Sequence, residues 1–386
     1  IGVPCYISDE SSEVRDGAGI AVVNYEKLHR FDASVFGGVV LDESSVLKNF
    51  TGKVKRMLCE SYSNTPYRLA CTATPAPNDH MELGNHAEFL GVMPSNEMLS
   101  RWFINDTMKA GGYRLKGHGA KDFWQWVASW AVCLDKPSDI GGDDTGYDLP
   151  ELVVQRHEVS AAGTDAPNGF LFNTSGISAT NIHEEKRLTL VARASKAAEI
   201  ESAIEDSCVI WCDTDYESSA LCERMPDAIE LRGGFTESKK SAILDGFASG
   251  EIKTLITKPS IAGFGMNWQH CNRQIFAGLS FSFEAYYQAV RRCWRFGQQR
   301  PVTIDIVIAD TESAISAAIA RKESDHMLMQ AGMAAAMHEA TLSELGTELV
   351  RDVYTATVPM PLPSFCFCSS IMPLFYQKYW LTCWSD

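Results

Sequence analysis

A hydrophobic run closes on two acids in Val39-Val40-Leu41-Asp42-Glu43. If the run is a strand of a parallel sheet, both carboxylates stand at its carboxyl edge, where ligands bind in such sheets. Asp42 can then hold Mg²⁺, largely through water, while Glu43 polarises the water that attacks a γ-phosphate. Taken alone, Asp-Glu after a strand is more often a turn or a helix cap. Further on, Thr72-Ala73-Thr74-Pro75 ends a second apolar run. The hydroxyls of Thr72 and Thr74 can hydrogen-bond the acidic pair and report the state of a nucleotide, although Thr-Pro after a strand is also ordinary turn chemistry.

Two more groups lie in the second half. Gly263-Phe264-Gly265-Met266-Asn267 follows the apolar run KTLITK. Gly263 and Gly265 let backbone approach a phosphate or ribose, and Asn267 can fix the loop, but a lone GxGxN is a weak signal. Gln288-Ala289-Val290-Arg291-Arg292-Cys293-Trp294-Arg295-Phe296-Gly297-Gln298 carries Arg292 and Arg295 three positions apart. On a helix they share a face. Two guanidiniums projected toward a nucleotide act as arginine fingers, each contributing roughly 10³–10⁵ in rate by stabilising transition-state charge. A basic surface patch explains the same spacing.

Positioning these groups takes two α/β blocks. In the first, residues 20–25, 37–43 and 67–74 are short, apolar, β-branched runs bounded by Gly or polar turns, and read as buried strands. Helical patterns between and after them point to a parallel sheet covered by helices. Residues 80 to 135 turn helical and aromatic, with Trp102, Phe103, Phe123, Trp124, Trp126 and Trp130. We read them as a packed helical extension rather than a base-stacking platform. The stretch KPSDIGGDDTGYDLPEL (136–152) is a linker by its Gly, Pro and Asp content. In the second block, residues 208–212, 228–233, 253–258, 273–278 and 302–309 read as strands. Residues 236–250 read as a helix capped by Thr236 with Lys239 and Lys240 exposed, 282–298 as a helix or helix plus turn, and 312–340 as a long amphipathic helix. No solenoid repeat is present.

The bulk composition fits this organisation. The 386 residues, 45% hydrophobic and 22% charged, suit two globular domains plus extensions. No apolar run is long enough for a membrane span, and the first residues lack the basic start and apolar stretch of a secretory signal. Twelve cysteines without paired CxxC knuckles or Cys/His zinc spacing read as reduced, buried thiols of a cytoplasmic protein. The net charge of −15 counts against a protein that coats nucleic acid nonspecifically, yet leaves room for a cationic groove. The aromatic, nearly uncharged stretch PSFCFCSSIMPLFYQKYWLTCWSD is assigned no role.

In order and spacing these elements resemble the motifs of superfamily-two helicases of the DEAD/DEAH type, specifically the Swi/Snf-like branch. VVNYEKL (22–28) is similar to motif Ib, LDESSVLKN (41–49) to the Asp-Glu box, TATPAPN (72–78) to motif III, SIAGFGMN (260–267) to motif V and QAVRRCWRFGQ (288–298) to motif VI. FWQWVASWA, KPSDIG and YDLPEL resemble the phage and prophage members. The resemblance covers about residues 20 to 310 and implies two RecA-like lobes, each a mainly parallel sheet flanked by helices, with a helical insertion after the first. It implies ATP and Mg²⁺ as cofactors and double-stranded DNA, held through its backbone, as partner. By the same resemblance Asp42 binds Mg²⁺ and Glu43 is the catalytic base. Gln288, Arg292 and Arg295 face the nucleotide with Arg295 the favoured finger, Gly263, Gly265 and Asn267 couple nucleotide to DNA, and Thr72 and Thr74 link hydrolysis to lobe movement. The expected layout is residues 1–80 as the remainder of the first lobe, 81–135 as the extension, 136–155 as linker, 156–340 as the second lobe and 341–386 as a tail.

Three departures bear on coupling: Ser44-Ser45 where many relatives have Ala-His, Arg291 where Asp is frequent, and Trp294 where His is frequent. A larger one is that GxxxxGK[ST], the loop whose N–H groups and Lys cradle the β- and γ-phosphates, occurs nowhere; Gly52-Lys53 lacks the other Gly and the Ser/Thr. Motif order places that loop before residue 1, and the chain starts with Ile. The expectation is therefore an N-terminally shortened motor that binds ATP poorly, or a remnant that binds DNA or a partner without turnover.

Overall fold

The computed structural model describes residues 3–14, 19–49, 52–106, 112–134, 136–140, 143–160, 186–263, 265–310 and 313–346. The chain divides into two compact units, one built on Ile1–Cys133 with the helix from Asp325 onward, the other on Leu134–Ser324. The first contains strands β1 (Cys5–Ile7), β2 (Ile20–Val22), β3 (Gly38–Asp42), β4 (Tyr67–Cys71), β5 (Phe103–Asp106) and β6 (Gly112–Leu115). Its helices are α1 (Lys53–Ser61), α2 (Leu83–Leu90), α3 (Ser95–Trp102) and α4 (Ala120–Ala128). The second contains strands β7 (Leu152–Val159), β8 (Cys208–Trp211), β9 (Ile229–Glu230), β10 (Thr254–Thr257), β11 (Arg273–Phe276) and β12 (Val302–Ala309). Its helices are α5 (Leu190–Ser202), α6 (Asp215–Arg224), α7 (Glu237–Ala248), α8 (Pro259–Ala262) and α9 (Phe283–Val290), followed by the long α10 (Ser313–Gly346).

The second unit is an α/β domain around a six-stranded sheet of order β7-β12-β11-β8-β10-β9, parallel throughout. Side chains alternate across a strand, so β8 feeds two cores. Val209 and Trp211 pack with Phe247 of α7 and Phe283 of α9. Cys208 and Ile210 pack on the other face with Ala194 and Ala197 of α5 and Leu221 of α6. Burial on both faces is why the central strands are apolar runs without alternation. Each large apolar side chain so buried contributes roughly 1.5–3 kcal/mol.

The edges of this sheet differ from the sequence expectation. β7 pairs with β12 along its whole length, Leu152↔Val302 to Val159↔Ala309, and its first residues fall in the stretch taken as linker. As an edge strand with one face open it carries Gln155, Arg156, His157 and Glu158, and so lacks the apolar run of a central strand. β9 is only two residues long. Thr236 caps α7 as expected, its Oγ1 accepting from the Lys239 N–H at 3.4 Å. Lys239 is exposed, but Lys240 is half-buried and paired with Glu237 at 2.8 Å.

In the first unit β3 and β4 form a parallel pair with Gly38 opposite Tyr67 and Asp42 opposite Cys71. Leu41 is buried with Leu28, Leu47, Leu58 and Phe89, with Val39 and Ala70 packed against that core. The opposite face is open: Val40, Tyr67 and Leu69 are 62%, 77% and 48% exposed. The aromatic stretch forms a packed core, Trp102 stacking on Trp126 at 4.7 Å around a fully buried Phe123, with Met329 and Met333 of α10 in the same cluster. Beside the expected helices it contains an antiparallel hairpin, β5 with β6.

The described cysteines are free thiols, Cys208, Cys212, Cys271 and Cys293 buried. Among the described residues no helix is long and apolar enough to cross a membrane. The tail from residue 347 on and Phe264 of the glycine loop lie outside the described residues.

Candidate functional site

In the first unit β3 delivers Asp42 and Glu43 to its carboxyl end. Glu43 has φ 52° and ψ 55°, the sole non-glycine residue with positive φ among the described residues. That left-handed conformation costs about 1–2 kcal/mol for a residue with a Cβ, so surrounding bonds must hold it. The Tyr25 hydroxyl donates to the Asp42 carbonyl at 2.7 Å. Thr72 Oγ1 donates to Glu43 Oε2 at 3.4 Å and accepts from the Thr74 N–H at 3.1 Å. Thr74 is fully buried, and its own hydroxyl has no hydrogen-bond partner. Thus Thr72 touches the acid directly and Thr74 stands one step behind it.

On the other side of the turn, Ser44 Oγ meets His86 Nε2 of α2 at 3.1 Å, and His86 Nδ1 lies 3.5 Å from the Glu82 carbonyl. A carbonyl only accepts, so Nδ1 carries the proton and Nε2 accepts from Ser44. Burial pushes the His86 imidazole down to about 4, so it is neutral at physiological pH. Glu82 accepts from the Asn78 backbone N–H at 3.1 Å and from Asn78 Nδ2 at 2.8 Å, and burial pushes its carboxyl up to about 7. Tyr25's hydroxyl is pushed up by burial first, then by the charges of Asp42 and Glu43. Sequence reasoning missed His86 and Glu82: a lone histidine on a short helix carries no spacing signal. Tyr25 stood inside VVNYEKL, where its hydroxyl could have been singled out.

In the second unit the glycine loop and the arginine segment close on each other. Arg292 Nη1 and Arg295 Nη1 both donate to the Met266 carbonyl at 3.0 Å. Arg292 also donates from Nε to the Gln288 carbonyl at 2.9 Å and from Nη2 to Gln288 Oε1 at 3.0 Å. Both arginines and Gln288 are buried. The helix of the sequence reading ends at Val290, so Arg292 and Arg295 meet through successive turns rather than on one helical face. Gln298 ties those turns down, its Nε2 donating to the carbonyls of Gln269, Cys271 and Cys293. Gly263 is sterically required, because a Cβ there would stand 2.2 Å from the Pro259 carbonyl oxygen, and Gly265 has φ +72°. Asn267 is half-buried with Oδ1 unpartnered.

Asp42, Glu43 and the Thr72 hydroxyl are an all-oxygen set of the kind Mg²⁺ takes, with water and substrate phosphates completing its shell. Among the described residues no group of three or more His, Cys, Asp or Glu could hold a metal by itself. The chain's residues therefore fit a hydrated Mg²⁺ brought with a nucleotide, whereas no phosphate loop stands in the sequence.

Residues 191–297 match the helicase conserved C-terminal domain family. The chain is 31% identical over 127 residues, 31% of its length, to the uncharacterized ATP-dependent helicase YqhH of Bacillus subtilis (strain 168), and the match spans 22% of that relative. Among solved structures it is similar to the C-terminal part of the Fun30 ATPase domain, with 20% identity, TM-score 0.31, and 33% of this chain and 44% of that one covered. It is also similar to S. cerevisiae Dbp5 bound to RNA and ADP BeF3, with 13% identity, TM-score 0.45, and 86% and 74% covered. The family match lies within the second unit, and the chain spans about a fifth of the length of that curated relative.

Proposed function

We propose that the chain is the motor region of an ATP-dependent DNA translocase of the Swi/Snf-like, phage-type branch, working in the cytoplasm on double-stranded DNA held through its backbone. The observation that carries this reading is the convergence of two buried guanidiniums on the Met266 carbonyl of a glycine loop. Guanidiniums presented together match the charge and fork geometry of phosphate oxygens, and a triphosphate offers such oxygens. Asp42 would hold Mg²⁺ through water and Glu43 would orient and deprotonate the attacking water. Gln288, Arg292 and Arg295 would face nucleotide phosphates, Thr72 and Thr74 would link hydrolysis to movement, and Gly263, Gly265 and Asn267 would couple nucleotide to DNA. Bound Mg²⁺ would neutralise charge on the phosphates. No phosphate loop stands in this sequence, so turnover by the chain alone would be weak.

The missing loop and the open face of β3–β4 favour a second reading, a remnant that binds DNA or a partner without hydrolysis. ATP hydrolysis measured with and without duplex DNA, then repeated with Glu43→Gln, separates the two. The motor predicts DNA-stimulated turnover that Glu43→Gln abolishes. Equal turnover in both proteins defeats it, and salt-sensitive duplex binding without any turnover supports the remnant.

A further inference from the structure

We infer that Tyr25 and His86 are positioning residues that clamp the Glu43 peptide from its two sides and so aim its carboxylate. The inference rests on the proposed role of Glu43 as the water-activating acid. Glu43 is held in a left-handed turn that a residue with a Cβ does not adopt unaided. The peptide preceding it is fixed by the Tyr25 hydroxyl, which donates to the Asp42 carbonyl at 2.7 Å. The residue following it, Ser44, is fully buried and bonded through its side chain to His86 Nε2 at 3.1 Å. Between these anchors the Glu43 carbonyl accepts from the Val46 N–H at 3.3 Å, closing the turn. With both flanking residues pinned, the Glu43 backbone has little freedom, and its Oε2 meets Thr72 Oγ1 at 3.4 Å.

The anchors come from separate elements. Tyr25 opens the helical turns after β2, and His86 sits on α2, eight residues beyond Asn78 of TATPAPN. Here α2 supplies an imidazole to the Asp-Glu box from outside, beside the Ser44 that stands next to the two acids. An isolated left-handed residue is a place where strain is stored for function when its surroundings over-determine it. Two side-chain bonds aimed at one turn are such surroundings.

The test reads the turn itself in the chain as it exists. With glutamate as the sole protonated, ¹⁵N-labelled residue type, a short intraresidue distance between amide and α protons marks a positive φ, and Glu43→Gln identifies the Glu43 signal. The wild type should show that strong cross-peak. Ser44→Ala and Tyr25→Phe each delete one hydroxyl, and each should weaken it while leaving the other glutamates in place. His86→Gln, whose amide oxygen can accept from Ser44, should retain it where His86→Ala loses it. An undiminished cross-peak in both Ser44→Ala and Tyr25→Phe overturns the proposal. So does a spectrum in which every glutamate moves as far as Glu43, because the two residues would then support the fold at large. No nucleotide enters the experiment, so its outcome is separate from that of the hydrolysis assay.

Discussion

β3 and β8 are both short parallel strands, yet one is covered on a single face and the other on both. Val209 and Trp211 lie in one core while Cys208 and Ile210 lie in another. In β3, Leu41 is buried whereas Val40 stands 62% exposed. A parallel sheet is stable when helices cover both faces, and an isolated strand pair is marginal. The arginine turns thus rest on a rigid sheet, while the carboxylates sit on a strand pair that owes its order to one helical layer and to side-chain bonds. This is why the clamp around Glu43 is needed in the first unit, and why the arginines of the second are fixed mainly by backbone carbonyls.

The sharpest way to break the comparison is to remove what makes the second unit rigid. Arg193 of α5 and Glu217 of α6 are buried and paired at 2.7 Å. Arg193 also donates to the carbonyls of Lys186 and Ala277, and Glu217 accepts from the N–H groups of Asp213 and Thr214. Arg193→Leu strands a carboxylate in the core, and removing one partner of such a pair costs about 3–5 kcal/mol. Urea unfolding followed by tryptophan fluorescence should show a loss of that size. A loss under about 1 kcal/mol would mean that the pair is not what joins α5, α6 and the sheet ends.

A second prediction sharpens the contrast through pH. Glu82 has its carboxyl raised from 4.5 to about 7 in the folded chain. The unfolded chain ionises it first, so its burial cost is absent below about pH 4.5, grows to about pH 7 and is complete above. His86 has the opposite sign, lowered from 6.5 to about 4: its contribution is whole above 6.5 and is lost as pH falls toward 4. In wild type the two partly cancel between pH 4.5 and 6.5. Glu82→Gln removes the first, so relative to wild type it should gain roughly 3 kcal/mol between pH 4.5 and pH 8. Denaturation of both proteins across that range measures the gain. A pH-independent difference would show that Glu82 stays ionised throughout.

Which parts of this were legible in the sequence follows from the same contrast. β8, β10, β11 and β12 could be read because burial forces apolar runs between turns. The fully polar middle of β7 hid it, since an edge strand need not be apolar. The pairing of Arg292 with Arg295 followed from their spacing, but the helix assumed for it does not extend past Val290; the turns closed by Gln298 bring them together instead. Thr72 was legible as a strand-end hydroxyl. His86 was not, because its meaning comes from Ser44, 42 positions away in sequence, and single-sequence patterns do not report such contacts. The open face of β3–β4 was also invisible, since Val40 and Leu69 look like any buried strand residues until they are found exposed among the described residues.

That face supplies the smallest predicted effect. Leu69→Lys changes a residue that is 48% exposed, opposite Val40 in the register. Surface substitutions of this kind stay within about 0.5 kcal/mol, whereas Leu255→Ala in fully buried β10 should cost about 2–5 kcal/mol. Leu69→Ala removes the same carbons as Leu255→Ala, so the ratio of those two costs measures coverage rather than chemistry. Apolar faces on unpaired strand edges also promote association. Leu69→Lys should therefore reduce concentration-dependent light scattering even though stability scarcely moves. If it instead destabilises the chain by more than 1 kcal/mol, the β3–β4 face is covered in solution, and the difference between the two sheets disappears.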